Sequence, residues 1–220
     1  MRDRVATAAR TAGRDPESVS ILPVTKGFPS ARLGDVVAAG FTAVGENRVS
    51  EAQAKREGLP HLDLAYHMIG HLQRNKAAAA VRVFDRIDSV DSVRLADRLA
   101  AVAGPAGRTA LPVLVQVNAS GEASKGGLPI EQAVAGVERI CAMANLRVRG
   151  LMTMAPIDAD EHMLHEVFGR VRRCLEECRN QIAGFEGIEL SMGMSGDFEI
   201  AIAEGATQIR LGTVLLGERK

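Results

Sequence analysis

Short apolar runs alternate with longer amphipathic stretches along most of the chain. The apolar runs predict eight strands, and the stretches between them show the spacing of helices with one buried face. Strands are predicted near residues 19–26, 42–46, 64–69, 83–89, 112–118, 147–154, 188–192 and 208–211. Helices are predicted over 2–12, 30–39, 48–56, 74–81, 92–102, 130–144, 161–181 and 197–204.

Strands that alternate with helices imply βαβ units and a parallel sheet. Eight such units in 220 residues predict a closed (β/α)₈ barrel with an extra N-terminal helix, formed by one domain over residues 1–220. The alternative is an open doubly wound sheet, which typically carries a G-x-G-x-x-G fingerprint after its first strand. Here that turn reads Thr-Lys-Gly-Phe-Pro, so we expect the barrel.

Composition excludes several classes of function. Lys and Arg total 27, as do Asp and Glu, and the chain has no Trp and one Tyr, so we expect no nucleic-acid binding. No apolar run approaches the roughly 20 residues that cross a bilayer, and the N-terminus lacks the apolar core of a signal peptide. The three cysteines do not form a disulfide framework, and we expect a cytoplasmic protein with reduced thiols.

Lys26 is the most informative single residue, because it closes the first apolar run. Lysine is rarely buried, so Lys26 either reaches solvent as an ordinary surface charge or is an amine held in a pocket for use. Barrels place their chemistry at the carboxyl ends of the strands, and Lys26 stands at such an end.

The last two loops are candidates for binding an anion. Ser195, Gly196 and Asp197 lead directly into a helix, and Gly212 follows the last strand. Such turns expose backbone N–H groups, and barrels commonly bind phosphate with the loops after strands seven and eight. The alternative is a helix capped by Ser195 or Asp197 and a glycine turn without a ligand.

A phosphate site facing a lysine suggests pyridoxal 5'-phosphate (PLP), whose aldehyde forms a Schiff base with an amine. Arg210 could then face the pyridine nitrogen and disfavour its protonation, or it is an ordinary salt-bridged arginine of the barrel.

The loop around Lys125 is either a mobile lid with a second amine or a plain surface loop. His67 lies on a predicted strand that separates it from His71, and the chain lacks a metal-binding pattern, so we expect no metal site.

Ordered motifs give the chain a family resemblance. They include Pro23 to Lys26, Gly45 to Asn47 with Glu51, His67 to Lys76, Gln116 to Asn118, Glu122 to Lys125, Gly150 to Met152, Leu190 to Ser195 and Arg210 to Thr213. With these residues the chain resembles the pyridoxal phosphate homeostasis protein family, which is related to the N-terminal barrel of alanine racemase. The resemblance runs from about residue 9 to residue 219.

The resemblance implies a set of cofactor contacts. Lys26 would carry the internal aldimine with PLP, Asn47 would lie near the ring, and Arg210 would lie at the pyridine nitrogen. The phosphate would be held by Ser195, Gly212 and Thr213, with Met192 close by. Val-Thr-Lys-Gly-Phe-Pro replaces the Ser-Lys-Thr-Lys pattern that is usual in the family, which keeps the lysine and alters its flank.

The resemblance implies a non-catalytic role in which the protein holds PLP, buffers it and delivers it to apo PLP-dependent enzymes. Racemisation needs two bases, and alanine racemase takes one from a tyrosine of a partner's second domain; the single tyrosine here, Tyr66, lies on another element. Without that second domain we expect a monomer. The alternatives are a small PLP-dependent racemase or lyase that uses Lys26 as base, and a phosphate-binding barrel without PLP.

Overall fold

The strands form one parallel barrel in the computed structural model, which describes residues 1–122 and 126–217. In chain order they are β1 (Ser20–Pro23), β2 (Ala43–Glu46), β3 (Ala65–Met68), β4 (Arg86–Val90), β5 (Ala110–Asn118), β6 (Leu128–Pro129), β7 (Asn145–Met152), β8 (Glu189–Ser191) and β9 (Gln208–Leu211). The two-residue β6 pairs only with the end of β5, and the other eight strands make the barrel.

Nine α-helices lie within the described ranges. They are α1 (Arg2–Thr11), α2 (Arg32–Ala38), α3 (Val49–Gly58), α4 (Ala77–Val83), α5 (Val93–Ala103), α6 (Ile130–Cys141), α7 (Glu161–Gln181), α8 (Phe198–Ala203) and α9 (Thr213–Leu216). The predicted extra N-terminal helix is α1, which packs against α8. No helix in these ranges is long and apolar enough to cross a membrane.

The barrel closes between its first two strands. The hydrogen-bonded order is β1-β9-β8-β7-β5-β4-β3-β2, and a parallel bridge from Val24 to Gly45 joins the two ends. The N–H of Thr25 donates to the carbonyl of Gly45 at 3.1 Å. The sequence prediction of an eight-stranded (β/α) barrel is therefore confirmed, and the open sheet is not formed.

Most of the core lies between the strands and the surrounding helices, where Phe84, Phe168 and Phe198 are fully buried. A smaller apolar cluster of Leu22, Val24 and Ile69 packs separately from it. The sequence placed the start of the fourth strand at residue 83, which is wrong. Val83 instead ends α4, and the strand begins at Arg86.

Candidate functional site

Lys26 follows β1 after Val24 and Thr25, which lie between the carboxyl ends of β9 and β2. On one side, the N–H of Val24 donates to the carbonyl of Leu211 at 2.8 Å. On the other, Val24 pairs with Gly45 of β2. The side chain is half-buried. The predicted lysine therefore stands at the rim where the strands of a barrel carry chemistry.

The turn that carries Lys26 is held on both sides. Gly27 has a φ of +72°, a left-handed conformation that glycine adopts without a steric penalty, and its N–H donates to Glu51 Oε1 at 2.6 Å. The N–H of Phe28 donates to the carbonyl of Thr25 at 3.0 Å, which closes the turn. The buried hydroxyl of Thr25 donates to Glu46 Oε1 at 2.6 Å.

Beneath this turn lies a buried ionic cluster that the sequence reasoning missed. Lys55 of α3 is 3% exposed, and its ammonium contacts Glu46 Oε1 at 2.5 Å and Glu51 Oε1 at 2.8 Å. Burial raises the pKa of Glu46 above its ordinary value, and the hydrogen bonds from Lys55 and Thr25 only partly offset it. Burial also favours a higher pKa for Glu51, but hydrogen bonds from Lys55 and Gly27 lower it overall. Glu46 and Glu51 belong to the sequence motifs named above, but the only signal for Lys55 was its spacing from Glu51, which is also that of an ordinary surface pair.

The turns after β8 and β9 present unused backbone donors. Within residues 1–122 and 126–217, the N–H groups of Ser195, Gly196, Gly212 and Thr213 donate no hydrogen bond. Asp197 is the N-cap residue of α8, but its side chain accepts no cap hydrogen bond from the described residues. Its carboxylate accepts from the N–H of Met194 at 2.5 Å and so shapes the turn instead. Unused N–H groups in such turns are the donors that bind an anion.

The two turns follow the neighbouring strands β8 and β9, and β9 is the sheet neighbour of β1, which leads to Lys26. A β-carbon built on Gly212 would lie 3.7 Å from the carbonyl oxygen of Val24. Met192 is buried at the end of β8, and its N–H donates to the carbonyl of Gln208 at 3.1 Å. The fold therefore brings Lys26 and the predicted phosphate turns to the same rim.

Arg210 is buried between β7, β8 and β9. Its guanidinium donates to the carbonyl of Ser191 at 2.7 Å, to the Ser191 hydroxyl at 2.8 Å and to the carbonyl of Thr153 at 2.8 Å. Burial lowers its pKa to about 10, although the charges of Asp88 and Asp197 act in the opposite direction. Among the described residues no carboxylate lies within salt-bridge distance, so the alternative of a salt-bridged arginine is not formed there.

A polar chain continues from Arg210 through the barrel interior. The Ser191 hydroxyl also donates to Gln208 Oε1 at 3.1 Å, and Arg86 of β4 donates to the same oxygen at 3.2 Å. Arg86 binds Asp88 and, across the barrel, Glu189 of β8. Because β4 is not a sheet neighbour of β8 or β9, these contacts pass through the interior.

Asn47 follows β2 and lies half-buried against Gly70 of the next loop. A β-carbon on Gly70 would lie 2.5 Å from the carbonyl oxygen of Asn47 and 2.7 Å from its Cα. A side chain at position 70 would therefore displace the Asn47 backbone. The backbone of Asn47 can therefore take its position at the rim only because residue 70 is a glycine.

The remaining candidates lie apart from this arrangement. Tyr66 is 3% exposed in the core, with the Arg56 guanidinium 4.8 Å from its ring centroid. His67 Nδ1 lies 3.5 Å from Asp88 in the barrel, and exposed His71 pairs with Asp91 at 3.0 Å. Lys125 lies outside the described residues.

Comparison with known proteins identifies the class that this barrel and rim define. The model of the family described as alanine racemase, N-terminal domain, matches residues 1–220. An alanine racemase of Clostridium difficile shares the fold at 14% identity, with a TM-score of 0.76 over 97% of this chain and 56% of that one.

Relatives of higher sequence identity assign the chain to a narrower family. The chain is 42% identical over 216 residues to a pyridoxal phosphate homeostasis protein of Pseudomonas aeruginosa, covering 98% of this chain and 91% of the relative. It is 39% identical to PipY of Synechococcus elongatus, whose structure was solved with PLP bound; the TM-score is 0.86, covering 97% of this chain and 100% of PipY. The chain therefore belongs to the pyridoxal phosphate homeostasis protein family, within the wider alanine racemase N-terminal domain family.

Proposed function

We propose that this protein binds PLP through a Schiff base with Lys26 and maintains the cellular supply of the cofactor without robust turnover of a substrate. The observation that carries the proposal is that Lys26 and two turns, whose N–H donors find no acceptor among the described residues, lie at one rim, and that the strand between the two turns carries the buried cation of Arg210. The relatives support it, because one binds PLP and others are named for its homeostasis.

The residues present fit the charge and shape of PLP. A phosphate dianion needs several donors, and the turns at Ser195, Gly196, Gly212 and Thr213 offer backbone N–H groups together with two hydroxyls. We assign the phosphate to these turns, with Met192 beside them. Asn47, held by Gly70, would lie at the ring.

Lys26 would react with the aldehyde of PLP, and Arg210 would face its pyridine nitrogen. PLP supplies an aldehyde that condenses with a neutral amine, so that a C=N bond forms and one water leaves. Arg210 has no proton acceptor to offer the pyridine nitrogen, and its charge disfavours protonation there. A ring that stays unprotonated is a weaker electron sink, which suits holding PLP better than reacting with it.

The position of Tyr66 supports the non-catalytic proposal. A racemase needs a second base on the face of the substrate opposite to the lysine. Tyr66, the one tyrosine of the sequence, is packed into the core beneath Arg56 and does not reach the rim.

An absorption spectrum tests the binding proposal. Apo-protein mixed with PLP should gain the visible band of a protonated lysine Schiff base, and borohydride should fix the label on Lys26. Lys26→Ala should lose both, whereas Lys76→Ala, which changes an exposed lysine just before α4, should keep the visible band and the label on Lys26. An equal band in Lys26→Ala would refute the assignment, and a colourless wild type would favour a phosphate-binding barrel without PLP.

A turnover assay tests the absence of catalysis. The PLP-loaded protein is incubated with single amino acids while chirality and keto-acid release are followed. We expect rates far below the usual enzyme range of about 1–10³ s⁻¹. A rate within that range would instead establish a small racemase or lyase.

Location and partners complete the proposal. Cys174 and Cys178 are buried and Cys141 is partly buried, and all three are free thiols, as in a reducing compartment such as the cytoplasm. We propose a monomer that passes PLP to apo PLP-dependent enzymes. Light scattering of the purified protein would test the monomer.

A further inference from the structure

Both peptide groups that flank Lys26 are held by side chains of one turn of α3. The carbonyl of Thr25 accepts from Lys55 Nζ at 2.7 Å, and the N–H of Gly27 donates to Glu51 Oε1 at 2.6 Å. Glu51 and Lys55 also contact each other at 2.8 Å. The two groups therefore form one clamp around the backbone of Lys26.

The hydrogen bonds of Lys55 leave no donor unused. An ammonium has three N–H donors, and the three acceptors are the carbonyl of Thr25, Glu46 Oε1 and Glu51 Oε1. The last two acceptors also bind the Lys26 turn, since Glu46 accepts from Thr25 and Glu51 accepts from Gly27. Displacing Lys55 would therefore loosen the turn at three points.

Stability alone is a weak reason for this cluster. Burying charges is costly, and apolar side chains of similar volume often stabilise a protein equally well. Glu46 adds to the cost, because its Oε2 is buried and accepts no hydrogen bond from the described residues. Fixing the backbone of Lys26, by contrast, gives the cluster a role that apolar packing could not supply.

We infer that Glu51 and Lys55 are positioning residues that hold Lys26 in the geometry that binds PLP. This rests on the proposed function of Lys26. A turn held before the ligand arrives loses less conformational freedom on binding, so its preorganisation appears as affinity for PLP. Neither side chain needs to touch PLP for this effect.

The test compares two substitutions of Glu51. Glu51→Ala removes both hydrogen bonds, and its dissociation constant for PLP, measured from the visible band, should rise about tenfold or more. Glu51→Gln keeps an oxygen that can accept from Gly27 and Lys55, so it should stay within about threefold of wild type. The melting temperature of the apo-protein is recorded for every variant, because a purely structural role would lower that temperature and leave affinity unchanged.

A second variant and a control complete the design. Lys55→Met removes the hub of the clamp and should also raise the dissociation constant about tenfold or more. Glu176→Ala breaks the exposed pair with Arg172, which has the same helical spacing on α7, and should leave PLP affinity unchanged. If wild type gives the visible band and Glu51→Ala and Lys55→Met bind PLP as tightly as it does, the clamp is refuted while the proposed function stands. A wild type without the band would refute the proposed function itself.

Discussion

Asp88 offers a quantitative test of the polar chain inside the barrel. Its carboxylate is fully buried and accepts from Arg86 Nε at 2.5 Å. Burial by itself would raise its pKa, but interactions with His67 and Arg86 outweigh burial and lower the pKa from 3.8 to about 2. The ionised carboxylate is therefore preferred in the folded protein.

The size of this preference follows from the two pKa values. At about 1.4 kcal/mol for each pH unit, lowering the pKa from 3.8 to about 2 is worth roughly 2 kcal/mol. A carboxyl whose folded pKa lies below its unfolded pKa stabilises the fold above the unfolded value. The stabilisation is lost as pH falls through the folded value, so the window runs from about pH 4 to about pH 2.

We expect Asp88→Asn to lose roughly 2 kcal/mol of unfolding free energy at pH 7, which corresponds to a melting temperature lower by about 4–8 °C. Urea unfolding at pH values from 7 to 2 measures the difference from wild type, which should shrink steadily below pH 4. Asp158→Asn makes the same charge change at an exposed position and should follow wild type throughout. A difference between Asp88→Asn and wild type that stays constant across this range would refute the reasoning.

Three further substitutions test the packing of the barrel and its rim. Gly70→Ala should lower the melting temperature and weaken PLP binding, because its β-carbon would lie within 2.9 Å of three atoms of Asn47; an overpacked site typically costs about 1–3 kcal/mol. Ser191→Ala removes one acceptor of Arg210 and should cost about 1 kcal/mol in urea unfolding, with a shifted absorption spectrum of bound PLP. Gly150→Ala should abolish soluble expression, because its β-carbon would lie 2.0 Å from a carbonyl oxygen of β8 at a φ of +153°.

Periodicity predicted the barrel because most of its strands and helices differ in hydrophobic pattern. The helix Glu161–Gln181 and the strand Gln208–Leu211 have the predicted limits. The exception is the junction at Val83 and Phe84, where the end of α4 and the approach to β4 are both buried. A short apolar run that is buried throughout cannot be divided into helix and strand by periodicity.

The candidate site was predictable only where the sequence carries a local signal. Lys26 at the end of an apolar run and the glycine turns at Gly196 and Gly212 carry such signals. Lys55 does not, because the segment around it reads as an exposed helix with an ordinary charge pair. Glu46, the other carboxylate that Lys55 contacts, lies on β2, and only the folded structure brings it close to Lys55 of α3.

Lys55 and Arg210 are two buried cations whose charges are compensated differently. Lys55 contacts two carboxylates, whereas the hydrogen-bond acceptors of Arg210 are two carbonyls and a hydroxyl. Of these two buried cations, Arg210 is therefore the one without a carboxylate partner among the described residues, and it lies on β9, next to the turns after β8 and β9. PLP carries a dianionic phosphate, which would balance the positive charge and accept hydrogen bonds from the N–H donors of these turns. Its ring nitrogen would remain unprotonated. That electrostatic balance supports the proposal that the protein retains PLP and does not turn over a substrate.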